Sequence, residues 1–126
     1  MLKHIKNLLK DKSVYFAVLI TIVIAFLSLV RMGKQPVNFA YLDKIEHSIA
    51  YTVLTFFWLL VFGKTTRNKL IVVIFCVFYG IIIEVLQGET TYRTFDFADM
   101  FANSIGTVIG LLLFNRFIKN NNLFRD

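Results

Sequence analysis

Asp43, Lys44 and His47 fall within one helical turn and a residue; Glu84 and Gln87 are three apart; Asp96, Asp99 and Asn103 follow at intervals of three and four. All eight lie at the edges of apolar runs. A charge at mid-membrane costs about 2.5–3.5 kcal/mol on insertion scales, so ionisable groups in such places mark binding, proton transfer or ion pairing. The residue types support two chemistries. In an acid–base reading, His47 is the base and Asp99 or Glu84 the orienter, proton donor or ligand. In a binding reading, Lys44 and Arg93 contact an anion, Gln87 and Asn103 orient it, and Asp43, Glu84, Asp96 and Asp99 hold the cations or bind hydroxyls. The carboxylates and His47 also suit Mg²⁺, Mn²⁺ or Zn²⁺. No dense motif such as His-Glu-x-x-His fixes a metal geometry, so metal and cofactor stay unassigned at this level.

Each group also has a structural role open to it. Asp43 and Asp96 suit helix N-caps or first-turn carboxylates. Asp99 sits about a turn further in, where an ionised carboxylate needs a partner, and Arg93, Lys44 and His47 are the candidates. Glu84 follows fourteen uncharged residues and is either a lock with Lys44 or Arg93 or a proton holder. His47 fits a hydrogen-bonded bundle histidine equally well, and Tyr51 a packed aromatic. Ser48 and Ser104 show no nucleophile spacing, since helix serines are common in membrane packing.

The elements that must position these groups are membrane helices. Of 126 residues, 57% are hydrophobic and only 17% charged, a composition that excludes an ordinary soluble bundle. Four segments approach the roughly 20 apolar residues that a bilayer requires, at about 13–30, 43–63, 69–88 and 96–118. The reading is a single all-α membrane domain over 1–126, four transmembrane helices in a compact bundle and a multi-pass protein of the cell membrane. Ahead of the first span, Leu2, Ile5, Leu8 and Leu9 alternate with lysines, which suits a short interfacial helix. A cleaved signal peptide fits less well, because no small-x-small site closes the run before Arg31.

Ten of the fourteen Lys and Arg lie in the N-terminal segment, the 64–69 turn and the tail, against four at the other end. The positive-inside rule then puts both termini in the cytoplasm and the polar groups outside. The net charge of +6 follows from these flanks and forms no groove-reading stripe, so nucleic acid is not an expected partner. Cys76 stands alone among apolar neighbours, which excludes an intrachain disulfide. Gly63-Lys64-Thr65 lacks the earlier glycine of a phosphate-binding loop and reads as a solvated turn.

On ideal helices each polar set continues into an apolar or small-residue seam. Asp43 and His47 stand over Ala50 and Leu54; Glu84 and Gln87 stand over Gly80. Asp96, Asp99, Asn103, Gly106 and Gly110 fall within an arc of about 80°. Gly106 and Gly110 form a GxxxG pair, which lets a second helix approach, either within the bundle or in a homodimer.

The ordered elements Asp43-Lys44-x-x-His47 with Tyr51 and Leu54, Glu84-x-x-Gln87, and Arg93-x-x-Asp96-x-x-Asp99-x-x-x-Asn103-x-x-Gly106-x-x-x-Gly110 resemble the VanZ-like family of small bacterial membrane proteins. The family often carries Pro-Gly before the arginine, where this chain has Gly88-Glu89-Thr90-Thr91-Tyr92. The resemblance covers about 43–112 and implies a four-helix integral membrane protein, linked through the founding member to teicoplanin resistance. The expected partners are membrane lipids and a lipid-linked envelope component or lipoglycopeptide. Three readings stand: a head-group pocket, a membrane-embedded hydrolase or transferase, and a structural bundle without ligand.

Overall fold

A computed structural model describes residues 2–29, 40–89 and 97–121. Four helices account for nearly all of them: α1 Leu2–Leu29, α2 Ala40–Phe62, α3 Thr66–Gly88 and α4 Phe97–Asn121. Each contains a stretch long and apolar enough to cross a bilayer. Hydrocarbon offers no partner to a bare backbone N–H or C=O, so a spanning segment must satisfy these groups internally. That requirement makes even β-branched stretches such as Ile71-Val72-Val73-Ile74 helical, against their modest intrinsic preference.

The helix ends differ from the sequence expectation most at α1. Instead of a short interfacial helix followed by a span, one helix runs unbroken from Leu2 for 28 residues, about 42 Å at 1.5 Å per residue. No glycine or proline separates the lysine-rich turns from the apolar run, and Asp11-Lys12 favours neither a cap nor a turn strongly enough to interrupt it. Between α2 and α3 the connection is three residues. Gly63 N–H donates to Leu59 O at 2.6 Å, and Thr65 caps α3 in extended backbone, its hydroxyl accepting from Asn68 N–H at 3.1 Å.

Successive helices run antiparallel, so α2 and α4 point the same way. Their contact is the tightest in the bundle. A Cβ added to Gly106 would lie 2.2 Å from Ser48 O, and one added to Gly110 would lie 2.7 Å from Thr52 O. Thr52 Oγ1 reinforces the approach by donating towards Ser48 O at 2.8 Å and Gly106 O at 3.0 Å. Both glycines are thus buried against α2 inside the bundle. Lipid tails are as apolar as leucine, which leaves close backbone packing and polar bonds to hold membrane helices together.

Beyond Gly110 the interface becomes aromatic. Phe56 meets Phe114 and Phe117 edge-on, with ring centroids 6.1 and 5.5 Å away. Leu54, Leu59, Leu60, Val72, Cys76 and Phe114 complete a buried core. Side-chain bonds that join helix α1 include Trp58 Nε1 to Thr21 Oγ1 at 2.9 Å, Tyr79 Oη to Thr21 O at 2.6 Å, and Gln87 Nε2 to Ser28 O at 2.9 Å. Outside, Phe75 and Phe101 are 71% and 70% exposed, among some thirty large apolar side chains turned outward. That surface is suited to lipid and unsuited to water.

Candidate functional site

At the start of α2, one turn of helix separates Lys44 from His47, and both face the first turns of α4. Lys44 Nζ reaches Asp99 Oδ1 at 2.5 Å. His47 Nε2 lies 3.8 Å from the other carboxylate oxygen, Oδ2. Its Nδ1 is 3.1 Å from Asn103 Oδ1, an atom that can only accept, so the ring donates from Nδ1. Asp99 and Asn103 are buried on one face of α4, whereas the Lys44 side chain keeps 28% exposure. The arrangement is a cation at the rim, a carboxylate beneath it and an imidazole that spans carboxylate and amide.

Asp99 belongs to the first turn of α4, where the helix dipole also favours a negative charge. This double stabilisation explains how a carboxylate persists in a buried place: the ammonium in front and the helix terminus behind both offset its desolvation. Of the candidates, Lys44 and His47 both face the Asp99 carboxylate, Lys44 at the shorter distance.

Below this layer the cluster narrows. Tyr51, one turn deeper than His47, is buried with its hydroxyl making no hydrogen bond to a described residue, and its ring lies 6.2 Å from that of Tyr79. Gly80 of α3 packs on both: a Cβ there would lie 3.2 Å from Asn103 Cβ and Nδ2 and 3.3 Å from Tyr51 Cε1. Thr107 continues the α4 face with its hydroxyl on Asn103 O at 3.0 Å. The floor is closed by direct contact.

Of the two α3 groups, Gln87 also reaches a fourth helix. Glu84 is completely buried on α3. Gln87 turns its amide nitrogen to the Ser28 carbonyl of α1, which ties α1 to α3. The sequence reading enlisted only α2, α3 and α4, because α1 carries no charge within its span; a backbone carbonyl needs no charged side chain to accept. Arg93 and Asp96 lie outside the described residues, and so does the side chain of Asp43, although its backbone is in α2.

The donor set can also be tested for a metal. Among the described residues no three of His, Cys, Asp and Glu come together as ligands. Within the described part of the cluster only His47 and Asp99 are of ligand type, and the Lys44 ammonium stands against Asp99 Oδ1. The described residues do not by themselves make up a metal centre. Thr52 is the contact that motif reading missed: its hydroxyl bonds to the backbone of both helices. Its only sequence signal is its place one turn after Ser48 on the face that meets the glycines.

Comparison with known proteins agrees with this architecture. The family model described as VanZ/LLP1 matches residues 3–119. An uncharacterized protein of Schizosaccharomyces pombe is 30% identical over 107 residues, which cover 83% of this chain and 64% of the relative. The chain thus spans less than two thirds of that relative's length, and a fission-yeast relative means that the sequence pattern is not confined to bacteria. No solved structure matches the chain.

Proposed function

The chain belongs to the VanZ/LLP1 family of multi-pass membrane proteins, and from that premise we propose that the Lys44–Asp99–His47–Asn103 cluster binds the polar or phosphorylated head group of an envelope lipid. The carrying observation is the Lys44–Asp99 ion pair at the end of the bundle, with His47 against the same carboxylate. The pair holds a cation at the membrane edge without consuming it. A phosphate oxygen approaching the partly exposed ammonium exchanges for, or shares, the Asp99 contact, and His47 and Asn103 supply the neutral hydrogen bonds that orient the rest of the head group. Arg93, Asp43 and Asp96 flank the cluster in sequence and are the further cation and hydroxyl-binding groups of this reading, with Glu84, buried on α3, as another. The distribution of basic residues orients this end outward. Interference with membrane anchoring of an acylated glycopeptide such as teicoplanin is a consequence of occupying lipid head groups there.

The direct test is binding of short-chain phosphatidylglycerol and of a short-chain polyprenyl phosphate to the purified protein. Lys44→Gln and His47→Ala are expected to weaken binding of at least one of them about tenfold or more, the order of one lost charge-assisted hydrogen bond. Unchanged affinities for both lipids in both folded variants would sink the reading.

A second reading rests on the His47 geometry. With Nδ1 donating to Asn103, a neutral ring leaves Nε2 as a base, 3.8 Å from the carboxylate that would stabilise its protonated form. That is the arrangement of a hydrolase or transferase acting on the bound head group. Mass spectrometry of envelope lipids incubated with the protein decides it: new products that vanish in His47→Ala establish turnover, and intact lipids leave binding alone.

A further inference from the structure

Far from the polar cluster, toward the α2–α3 turn, the helices part. A cavity of about 500 Å³ opens between α1, α2 and α3, in the size range of small-molecule sites. Its walls include Thr21, Leu54, Trp58, Val72, Cys76 and Tyr79, with Asn68 at the turn end. The polar atoms in the inner wall have partners within that wall. Thr21 Oγ1 donates to Ala17 O at 2.7 Å and accepts from Trp58 Nε1, while Tyr79 Oη donates to Thr21 O. An occupant of the inner part is therefore asked for no hydrogen bond. It must be hydrocarbon, because water there would find too few partners.

The turn end is different in kind. Asn68 brings an amide to the cavity, and Lys64 and Arg67 are exposed in the same turn. The cavity therefore grades from apolar at mid-membrane to the Asn68 amide at its turn end, with two exposed cations, Lys64 and Arg67, in the adjoining turn, a polarity profile that suits one acyl chain and an anionic head group. We propose that this cavity seats one acyl chain of an anionic phospholipid, with its phosphate held at Lys64, Arg67 and Asn68. The site is independent of the Lys44 cluster and does not rest on the head-group reading. Aromatic Trp58 and Tyr79 shape it as rigid walls, and Cys76 at its base takes no part in any disulfide. Its smallness sets the depth that a chain reaches.

The experiment uses the full chain in bilayer discs of phosphatidylcholine doped with phosphatidylglycerol whose acyl chain carries a photoactivatable diazirine. Bulk lipid reaches outward residues such as Ile74, Phe78 and Ile82, but Val72 and Cys76 are buried, 5% and 4% exposed, and only a chain seated in the cavity meets them. Labelling of Val72 or Cys76 is expected. It should fall about 25-fold in the Lys64→Gln, Arg67→Gln double variant, since each basic residue near an anionic head group contributes about fivefold. Cys76→Phe, which fills the cavity, should abolish it. Should Cys76→Phe fail to fold, the double variant, changed only at exposed positions, still reads the proposal. Labelling confined to the outward residues overturns the proposal, and so does equal labelling of Val72 and Cys76 by a phosphatidylcholine probe. Lys44→Gln is expected to leave the labelling unchanged; this separates failure of the cavity from failure of the head-group site.

Discussion

The two halves of the bundle hold their helices by different means. In the half that contains Lys44, His47 and Asn103, glycines let the helices touch: Gly106 meets the Ser48 carbonyl and Gly80 meets Asn103 and Tyr51. Polar side chains finish those contacts. In the half that contains Trp58 and Tyr79, no glycine draws α1, α2 and α3 together and a cavity of about 500 Å³ remains between them. The lesson is that side-chain volume decides where this bundle is closed and where it is open. In hydrocarbon no solvent pressure collapses the wide half.

The contrast is broken most severely at Gly106. Gly106→Leu should separate α2 from α4 and cost more than about 4 kcal/mol, the range reserved for overpacked cores. Unfolding in mixed micelles followed by circular dichroism checks this; a folded variant of ordinary stability would show that the glycine contact is dispensable. Next comes Lys44→Met, which takes the ammonium away from the buried Asp99 carboxylate. Breaking a buried pair costs about 3–5 kcal/mol, and the partial exposure of Lys44 reduces the expectation to about 2 kcal/mol. The double variant Lys44→Met, Asp99→Leu should be the more stable of the two, since it leaves no charge behind. A double variant less stable than the single one would mean that the pair itself holds the helices.

The open half should respond more weakly. Trp58→Phe removes the bond to Thr21 and keeps most of the ring, so its cost is about 1 kcal/mol in the same unfolding measurement. Phe78→Ala alters an outward ring and should stay within about 0.5 kcal/mol. A large loss at Phe78 would show that this face is covered by more than lipid.

How far the sequence could be read follows the same division. Apolar runs of membrane length made all four helices legible, and the spacing of Gly106 and Gly110 marked a face for close approach. The unbroken α1 was less legible, because a lysine-rich amphipathic turn looks the same whether it lies on the interface or continues a span. The cavity left no sequence signature at all. Trp58, Val72, Cys76 and Tyr79 resemble any lipid-facing or core residues until three helices are set side by side.

By itself the sequence determined the class of the protein, since a chain of this hydropathy can satisfy its backbone in a bilayer only as helices, and it determined which faces of those helices are polar or small. Tertiary structure decided the pairings. Lys44 with Asp99, His47 with Asn103, and Gln87 with the Ser28 carbonyl join residues 55, 56 and 59 apart. The physical reason is that periodicity gives the angle of a residue on its own helix but leaves the rotation and sliding of one helix against another undetermined. Those two degrees of freedom are set by where glycine allows contact.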